Sequence, residues 1–202
     1  GGEVRVNGKA GALAGLKAGT YEIVVKGLPS GVWADPTAGR SVSERTLVPA
    51  VRASSSHEAG GWGADALFAP LDDAAKKGYS SAPLKDEQVS EWLEFDLGAE
   101  TELARVVLLP AGGRTASGKA GFGFPRDFVV QTAKQSGDYT TVATFTDCPV
   151  PGAYGLTLDL FTVIGFPKAR YVRIAVSRLG ETSQGEPGVR RLQFGRIQLL
   201  KP

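Results

Sequence analysis

The chain has 202 residues, of which 42% are hydrophobic and 22% charged, and its formal net charge is +2. This length is enough to bury one substantial core and a small accessory piece. The near balance of charge, with basic residues scattered along the chain, argues against a nucleic-acid partner. No apolar run reaches the roughly 18 residues of a membrane-spanning helix. Cys148 is the only cysteine, which excludes an internal disulfide and a multi-cysteine zinc site. We expect it to pack as a small apolar residue at a strand end.

Residues 1–45 differ in composition from the rest of the chain. They begin without a methionine or a leader-like segment, so we expect an excised internal fragment. Asn7 and Gly8 lie between short apolar stretches, and residues 18–28 alternate as a strand does, which predicts a β-hairpin or a small meander. Residues 28–47 are rich in Pro, Gly and Ser, as linkers are. We interpret Trp33 as a packing anchor of this linker, with a ligand platform as the alternative.

The rest of the chain, residues 46–202, is predicted to consist of antiparallel strands. Large apolar and polar residues alternate at period two in residues 91–98, 104–110, 124–131 and 169–180. Each stretch is bounded by Gly, Pro or a charged turn, which is typical of half-buried strands. The sequence therefore predicts an all-β protein, an antiparallel β-sandwich over residues 46–202 preceded by a short hairpin extension and linker.

Four motifs, in this order, carry a family resemblance. They are Trp-Leu-Glu-Phe-Asp-Leu-Gly, Phe-Pro-Arg-Asp-Phe, Ala-Arg-Tyr-Val-Arg and a closing Arg-Leu-Gln-Phe-Gly-Arg-Ile-Gln-Leu-Leu. Over about residues 45–201 the chain resembles the discoidin or coagulation factor V/VIII type C domain. The resemblance implies a jelly-roll, galactose-binding-like fold and a likeness to the family 32-type carbohydrate-binding modules of bacterial glycan-degrading enzymes.

A second, shorter resemblance concerns the beginning of the chain. VNGK followed by AGTYEIVV is similar to the last hairpin of the β-sandwich that ends some bacterial rhamnosidase-like enzymes. Two interpretations stay open: residues 1–45 belong to a preceding domain, or they are extra strands docked on the sandwich.

The direction of the strands predicts which loops lie together. Successive connections of an antiparallel sandwich fall at opposite ends, because consecutive strands run in opposite directions. If residues 51–56 run upward, the loops 57–65, 111–123, 147–155 and 178–190 share the upper end. This end then collects our candidate ligand-binding residues, which are His57, Trp62, Arg114, Phe122, Tyr154, Arg178 and Glu181.

These residue types suit the recognition of a sugar. A pyranose has an apolar face that an exposed ring covers, and hydroxyls that need directed donors and acceptors. We expect Trp62 or Phe122 to be the platform, and His57 and Arg114 to be the hydrogen-bonding groups. The resemblance implies that such sites are shallow and lie at this end.

Several aromatic and basic residues also have a plainer, structural interpretation. Trp62 is equally well explained as a plug at the end of the sandwich, and Arg114 as a solvated loop arginine. Phe124 belongs to a strand-entry motif and is expected in the core, which leaves Phe122 as the freer ring. Tyr79 is expected to pack beneath the long loop that precedes residue 90.

The resemblance also raises the question of calcium, which such modules often bind in a turn that corresponds to residues 71–81. Asp72 and Asp73 match the acidic turn, and calcium takes six to eight oxygen ligands. The family's glycine is absent, however, and its acidic position in the last strand is Arg196 here. We therefore expect no metal, and we expect Arg196 to pair with Asp72 or Asp73 instead.

Catalytic motifs are not recognisable in the sequence. We find no glycosidase-like carboxylate pair, no phosphate-binding glycine motif before a helix, and no serine nucleophile elbow. His57 is the only histidine, which rules out a two-histidine metal site. The prediction is a non-catalytic module that binds a glycan and is covalently linked to a glycoside hydrolase or polysaccharide lyase, in a secreted or cell-surface protein.

Two other functions stay open. One is a discoidin module that binds protein or lipid headgroups, for which the loop GGRTASGKAGFGF offers only modest apolar and basic character. The other is a structural spacer in a multidomain enzyme.

Overall fold

The structure is a computed structural model that describes residues 3–6, 9–10, 23–26, 45–69, 75–152, 155–160 and 167–202. Its strands are β1 (Glu3–Val6), β2 (Lys9–Ala10), β3 (Ile23–Lys26), β4 (Arg45–Leu47), β5 (Ala50–Ala53), β6 (Tyr79–Ser80), β7 (Gln88–Glu102), β8 (Arg105–Leu109), β9 (Asp127–Ala133), β10 (Thr140–Thr146), β11 (Leu156–Asp159), β12 (Lys168–Arg178), β13 (Gln193–Phe194) and β14 (Arg196–Lys201). A 3-10 helix spans Asp65–Phe68.

Two sheets form a β-sandwich, as predicted. The larger has the strand order β2-β1-β3-β10-β9-β12-β7-β5, and the smaller has the order β11-β8-β14-β4. Strands β13 and β6 form a separate short ladder. All pairings within the sandwich are antiparallel except that of β3 with β10, which is parallel.

The N-terminal strands extend the large sheet beyond β10. Strands β1 and β2 pair with Val6 opposite Lys9, which confirms the hairpin predicted at Asn7 and Gly8. Strand β3 covers part of the stretch 18–28 that was predicted as a strand. The division into domains at residue 45 stays a prediction, and Trp33 lies outside the described residues.

The core lies between the two sheets, because side chains at alternate positions of the long strands face it. In β7, Leu93 and Phe95 are fully buried, and Val172 and Ile174 are their equivalents in β12. Full burial of each such side chain contributes roughly 1.5–3 kcal/mol. The opposing sheet contributes Val106, Leu108, Ile197 and Leu199.

Two predictions about single core residues are confirmed. Tyr79 is fully buried, and its hydroxyl donates a hydrogen bond of 2.6 Å to the carbonyl oxygen of Ser55. Cys148 is buried, and desolvation raises the pKa of its thiol to about 12. This thiol is therefore neutral and unreactive at physiological pH.

One end of the sandwich gathers the long connections, as the strand directions predicted. The registers place the ends of β5, β8, β10 and β12 there, together with the starts of β7, β9 and β14. We call this end the loop pole and define it as residues 54–64, 81–87, 110–126, 147–152 and 179–192. Among the described residues, no helix combines the length and apolar character that crossing a bilayer requires.

Candidate ligand-binding site at the loop pole

Two loops of the pole, residues 110–126 and 179–192, are joined by backbone hydrogen bonds. The backbone N–H of Ala116 donates to Thr182 O at 2.8 Å, and that of Gln184 donates to Arg114 O at 3.0 Å. Thr115 and Ser183 form an antiparallel bridge between the same loops. Because these bonds satisfy backbone groups that flexible loops would leave to water, residues 110–126 and 179–192 form one ordered surface.

Arg114 is exposed on this surface. Its Nη1 donates to the carbonyl oxygen of Gly118 at 2.8 Å, which fixes the direction of the side chain. A guanidinium has five N–H donors, so most of its donor capacity faces solvent. The structure thus places Arg114 where it can donate to a ligand, in an ordered turn.

Glu181 is exposed, and its carboxylate binds the loop that carries Arg114, residues 110–126. Its Oε2 accepts a hydrogen bond of 3.1 Å from the N–H of Ser117, and its Oε1 lies 3.4 Å from Nζ of Lys119. Contacts with Ser117 lower the pKa of Glu181 to about 2. Glu181 therefore orders the loop around Arg114, and its carboxylate stays ionised at neutral pH.

His57 belongs to a charged cluster that the sequence reasoning missed. Arg191 donates from Nε and Nη2 to both carboxylate oxygens of Glu186, each at 2.8 Å, and from Nη1 to Ser81 O at 3.1 Å. The pKa of Glu186 is lowered, first by Arg191 and to a smaller extent by His57. His57 is half-buried, and its backbone N–H donates to Ser80 O at 2.9 Å. The carboxylate of Glu186 is thus held by a buried arginine, and the electrostatic effect of His57 on it is the smaller one.

The loop between Gln184 and Glu186 connects this cluster to Arg114. Gln184 bonds to the backbone of Arg114, and the N–H of Glu186 donates to the hydroxyl of Ser183 at 3.2 Å. The structure therefore joins the loop of Arg114, through residues 181–186, to Glu181 and to the pair of Glu186 with Arg191. The sequence does not predict the pairing of Glu186 with Arg191, because the two residues are five positions apart in an irregular segment with no periodic pattern.

Trp62 is half-buried in a tight turn of the loop pole. Its backbone N–H donates to Ala59 O at 3.1 Å, and it bridges to Gly78. A side chain at Gly61, where φ is +88°, would place Cβ 2.2 Å from Ala75 O. The glycines around Trp62 therefore permit close packing against residues 75–78 rather than loop mobility.

The prediction that Phe122 offers an exposed ring is wrong. Phe122 is only 4% exposed and lies almost as deep as Phe124, which is 1% exposed and in the core as expected. The neighbours Gly121 and Gly123 have φ of +81° and +86°, and the chain turns tightly there, which directs the ring under the loop. Phe122 stabilises the loop from below.

The structure gives Arg178 a role different from the predicted one. Its guanidinium donates to Asp127 at 2.7 and 2.8 Å, to Glu87 at 3.4 Å and also to Asp147. These carboxylates raise its pKa, Asp127 most of all. Because its donors are engaged and its side chain is 20% exposed, Arg178 joins three pole connections instead of facing a ligand.

Besides Trp33, three predicted residues lie outside the described ranges. They are the candidate ligand-binding residue Tyr154 and the calcium candidates Asp72 and Asp73. The described ranges contain no group of three or more His, Cys, Asp or Glu that would hold a metal ion.

The surroundings of Arg196 do not fit a calcium site. Arg196 is buried, and its guanidinium donates to Ala69 O at 2.8 Å and to Lys76 O at 2.9 Å. These carbonyls flank the turn in which the metal is expected, and a guanidinium bound to them would repel a divalent cation. The pairing of Arg196 with Asp72 or Asp73 stays a prediction.

The family of the chain follows from comparison with known proteins. The F5/8 type C domain family matches residues 50–189. The chain therefore belongs to this family, whose domain is a non-catalytic binding module, and the predicted resemblance is confirmed. No curated protein matches the chain.

Solved structures share the fold at low sequence identity. The family 32 carbohydrate-binding module of Clostridium perfringens NanJ, in complex with galactose, is 13% identical with a TM-score of 0.53, covering 78% of this chain and 99% of its own. Module CBM32-5 of the same organism's GH89 protein, in complex with GalNAc-β-1,3-galactose, is 13% identical with a TM-score of 0.52, covering 74% and 93%. A selenomethionine-labelled mutant of chitosan-binding module 1 from the chitosanase/glucanase of Paenibacillus sp. IK-5 is 18% identical with a TM-score of 0.50, covering 76% and 95%.

Proposed function

We propose that this chain is a carbohydrate-binding module that holds a terminal or side-chain sugar at the loop pole. One observation carries the proposal: Arg114 is presented from bonded loops with most of its donors facing solvent, and the half-buried His57 lies at the same pole. The solved modules of the same fold include complexes with galactose and with a galactose-containing disaccharide, which supports a sugar as the ligand class.

The geometry suggests a division of roles in binding. Arg114 donates to adjacent sugar hydroxyl oxygens through its planar fork. His57 exchanges a hydrogen bond with another hydroxyl from its position at the loop pole. Trp62 covers the apolar face of the ring with the part of its indole that remains accessible. Since the loops are ordered before the sugar arrives, binding loses little conformational entropy.

The context of the module is a further part of the proposal. A shallow site with a few hydrogen bonds binds one sugar weakly, and tethering to a repetitive polymer raises the effective affinity. This suits a secreted or cell-surface protein in which the module brings a glycoside hydrolase or polysaccharide lyase to its glycan.

The exposed apolar surface does not favour a lipid-binding function. A membrane-docking pole needs protruding large apolar residues. Among the described residues, Val48 is the exposed large hydrophobic side chain, at 78%, and it lies between β4 and β5 rather than in a pole loop.

A glycan array followed by titration calorimetry tests the proposal. We expect saturable binding to at least one glycan, weakened about tenfold or more by Arg114→Ala or Trp62→Ala, because each removes a contact of about 1.4 kcal/mol. Lys168→Ala is the matched control, since Lys168 is exposed at the start of β12, away from the pole. Failure to bind across plant, algal and host glycans would overturn the proposal in favour of a spacer or protein-binding role.

A further inference from the structure

The outer face of the large sheet carries charged, aromatic and small side chains in rows across neighbouring strands. Residues of β7 and β12 that point away from the core pair in register, with Trp92 opposite Ala175, Glu94 opposite Arg173 and Asp96 opposite Tyr171. Strand β9 continues two of these rows, with Val129 next to Ala175 and Gln131 next to Arg173. The neighbours of Arg173 therefore follow from strand register alone.

The arginines of this face differ in their partners. Arg52 is paired with Glu94, Arg170 with Asp96 and Arg178 with Asp127. Arg173 has no carboxylate partner in the part of the chain that the structure describes, and its contacts there are aromatic. Arg173 is thus the one of these four arginines without an ion pair among the described residues, although Glu94 lies opposite it in register and Glu91 lines the same cavity as Arg173.

Two aromatic rings hold the Arg173 guanidinium in place. Its central carbon lies 4.7 Å from the ring centroid of Trp92 and 5.1 Å from that of Tyr139. Contact with the two rings restrains the guanidinium and leaves its Nη groups to donate.

Unsatisfied polar atoms mark the same place. Among the described residues, three buried side-chain polar atoms have no hydrogen-bond partner, and two of them are Nε of Arg173 and the hydroxyl of Tyr139. Because both atoms are buried, the donors of Arg173 that a ligand can reach are those on its two Nη atoms.

A cavity of about 400 Å³ opens beside Arg173. Its floor includes the small residues Ala175 and Val129 and one wall includes Trp92, with hydroxyls of Thr144 and Ser177 also lining it. Two carboxylates reach it, but Asp127 is paired with Arg178 and Glu91 accepts hydrogen bonds from the hydroxyls of Ser54 and Ser55. Its volume lies within the roughly 300–1,000 Å³ of ligand clefts.

We propose that this face is a second binding site, separate from the loop pole, for an acidic sugar unit of a glycan. The carboxylate of a uronic acid accepts from the two Nη atoms of Arg173 in a two-point geometry. The sugar ring occupies the cavity next to Trp92, and its hydroxyls meet those of Thr144 and Ser177.

Two trisaccharides that differ only at C6 test the class of ligand. The probes are trigalacturonate and the corresponding neutral galactose trimer, added to the isotope-labelled wild-type chain and followed by NMR. We expect trigalacturonate to shift the Arg173 Nε–H and Trp92 indole N–H resonances saturably, with affinity at least tenfold above that of the neutral trimer. No shift at these two groups, or equal affinity for both trimers, overturns the proposal.

Variants test the role of Arg173 itself. Arg173→Gln removes the charge and the fork, and we expect a loss of trigalacturonate affinity of about tenfold or more; Lys168→Gln, which makes the same change in net charge at an exposed site, is expected to leave it unchanged. Unchanged affinity in Arg173→Gln contradicts the proposal. If Arg173→Gln fails to fold, the wild-type shifts and the milder variant Tyr139→Phe decide the matter. Tyr139→Phe keeps the Arg173 guanidinium, so we expect it to keep the preference for trigalacturonate. A Tyr139→Phe chain in which the Arg173 and Trp92 resonances are unperturbed but the preference is lost counts against the proposal.

Discussion

Arg178 and Asp127 form a two-point ion pair at the end of β12 and the start of β9, with Nε and Nη2 donating at 2.7 and 2.8 Å. The two residues are also register partners in the sheet. Asp127 accepts a further hydrogen bond of 2.8 Å from the N–H of Asp147, whose φ of +50° is unusual for a residue other than glycine. The pair therefore fixes the start of the connection 147–152 as well as two strand ends.

Removing the charge of Asp127 is expected to destabilise the fold. Asp127→Asn keeps the shape of the side chain and loses the charged acceptor, so we expect the free energy of unfolding at pH 7 to fall by about 2 kcal/mol. Urea denaturation measures this, with Asp138→Asn in an exposed turn as the control. A change as small as that of the control would contradict the role of the pair.

The same pair makes stability depend on pH. Hydrogen bonding from Arg178 lowers the pKa of Asp127 below its unfolded value. The contribution is therefore complete above the unfolded pKa, about 3.9, and is lost as pH falls through the folded pKa. Wild type and Asp127→Asn should converge in stability in acid, and a gap that persists at the lowest pH would contradict this assignment.

Glu181 should titrate well below an ordinary glutamate. Contacts with Ser117 lower its pKa to about 2 from 4.5. Carboxyl-detected NMR titration should show this, and Ser117→Ala, which removes the hydroxyl, should move the pKa back toward 4.5. An ordinary pKa in the wild type would mean that the loop around Arg114 is not clamped in solution.

Two tyrosine hydroxyls should differ in their effect on stability. Tyr79→Phe removes a hydrogen bond of 2.6 Å to Ser55 O, so we expect a loss of about 1 kcal/mol in the free energy of unfolding. Tyr139→Phe removes a hydroxyl that has no partner, and we expect little or no loss. Chemical denaturation of both variants gives the comparison, and equal losses would refute it.

Stability should be independent of calcium. Because Arg196 donates to the carbonyls of Ala69 and Lys76, a chelator should leave the melting temperature unchanged, whereas Arg196→Met should lower the free energy of unfolding by roughly 2 kcal/mol. A melting temperature that falls with chelator and recovers with added calcium would show that a metal is bound after all.

Much of the fold was predictable because it depends on local alternation. Leu93 and Phe95 point inward and Trp92 and Asp96 outward whatever the partner strand is, so the period-two pattern was sufficient. The grouping of loops at one pole followed from strand direction. The parallel pairing of β3 with β10 was not predictable, since no local pattern specifies which sheet edge an N-terminal strand joins.

The candidate site was predictable only in part because it depends on long-range contacts. Arg178 meets Asp127 from 51 residues away, so its donors are engaged by partners that loop composition does not reveal. The ring of Phe122 is turned inward by the backbone at Gly121, where an added Cβ would lie 2.2 Å from Cγ1 of Val150. Arg114, in contrast, keeps the exposed position that its small polar neighbours predicted.

The most direct test of the sugar site is an amide chemical-shift map of the labelled chain, titrated with a neutral glycan selected from the array. Our account predicts saturable shifts concentrated in residues 54–64, 110–126 and 179–192, including His57 and Arg114. Saturable shifts confined to other parts of the sandwich, or the absence of any shift with every glycan, would contradict it.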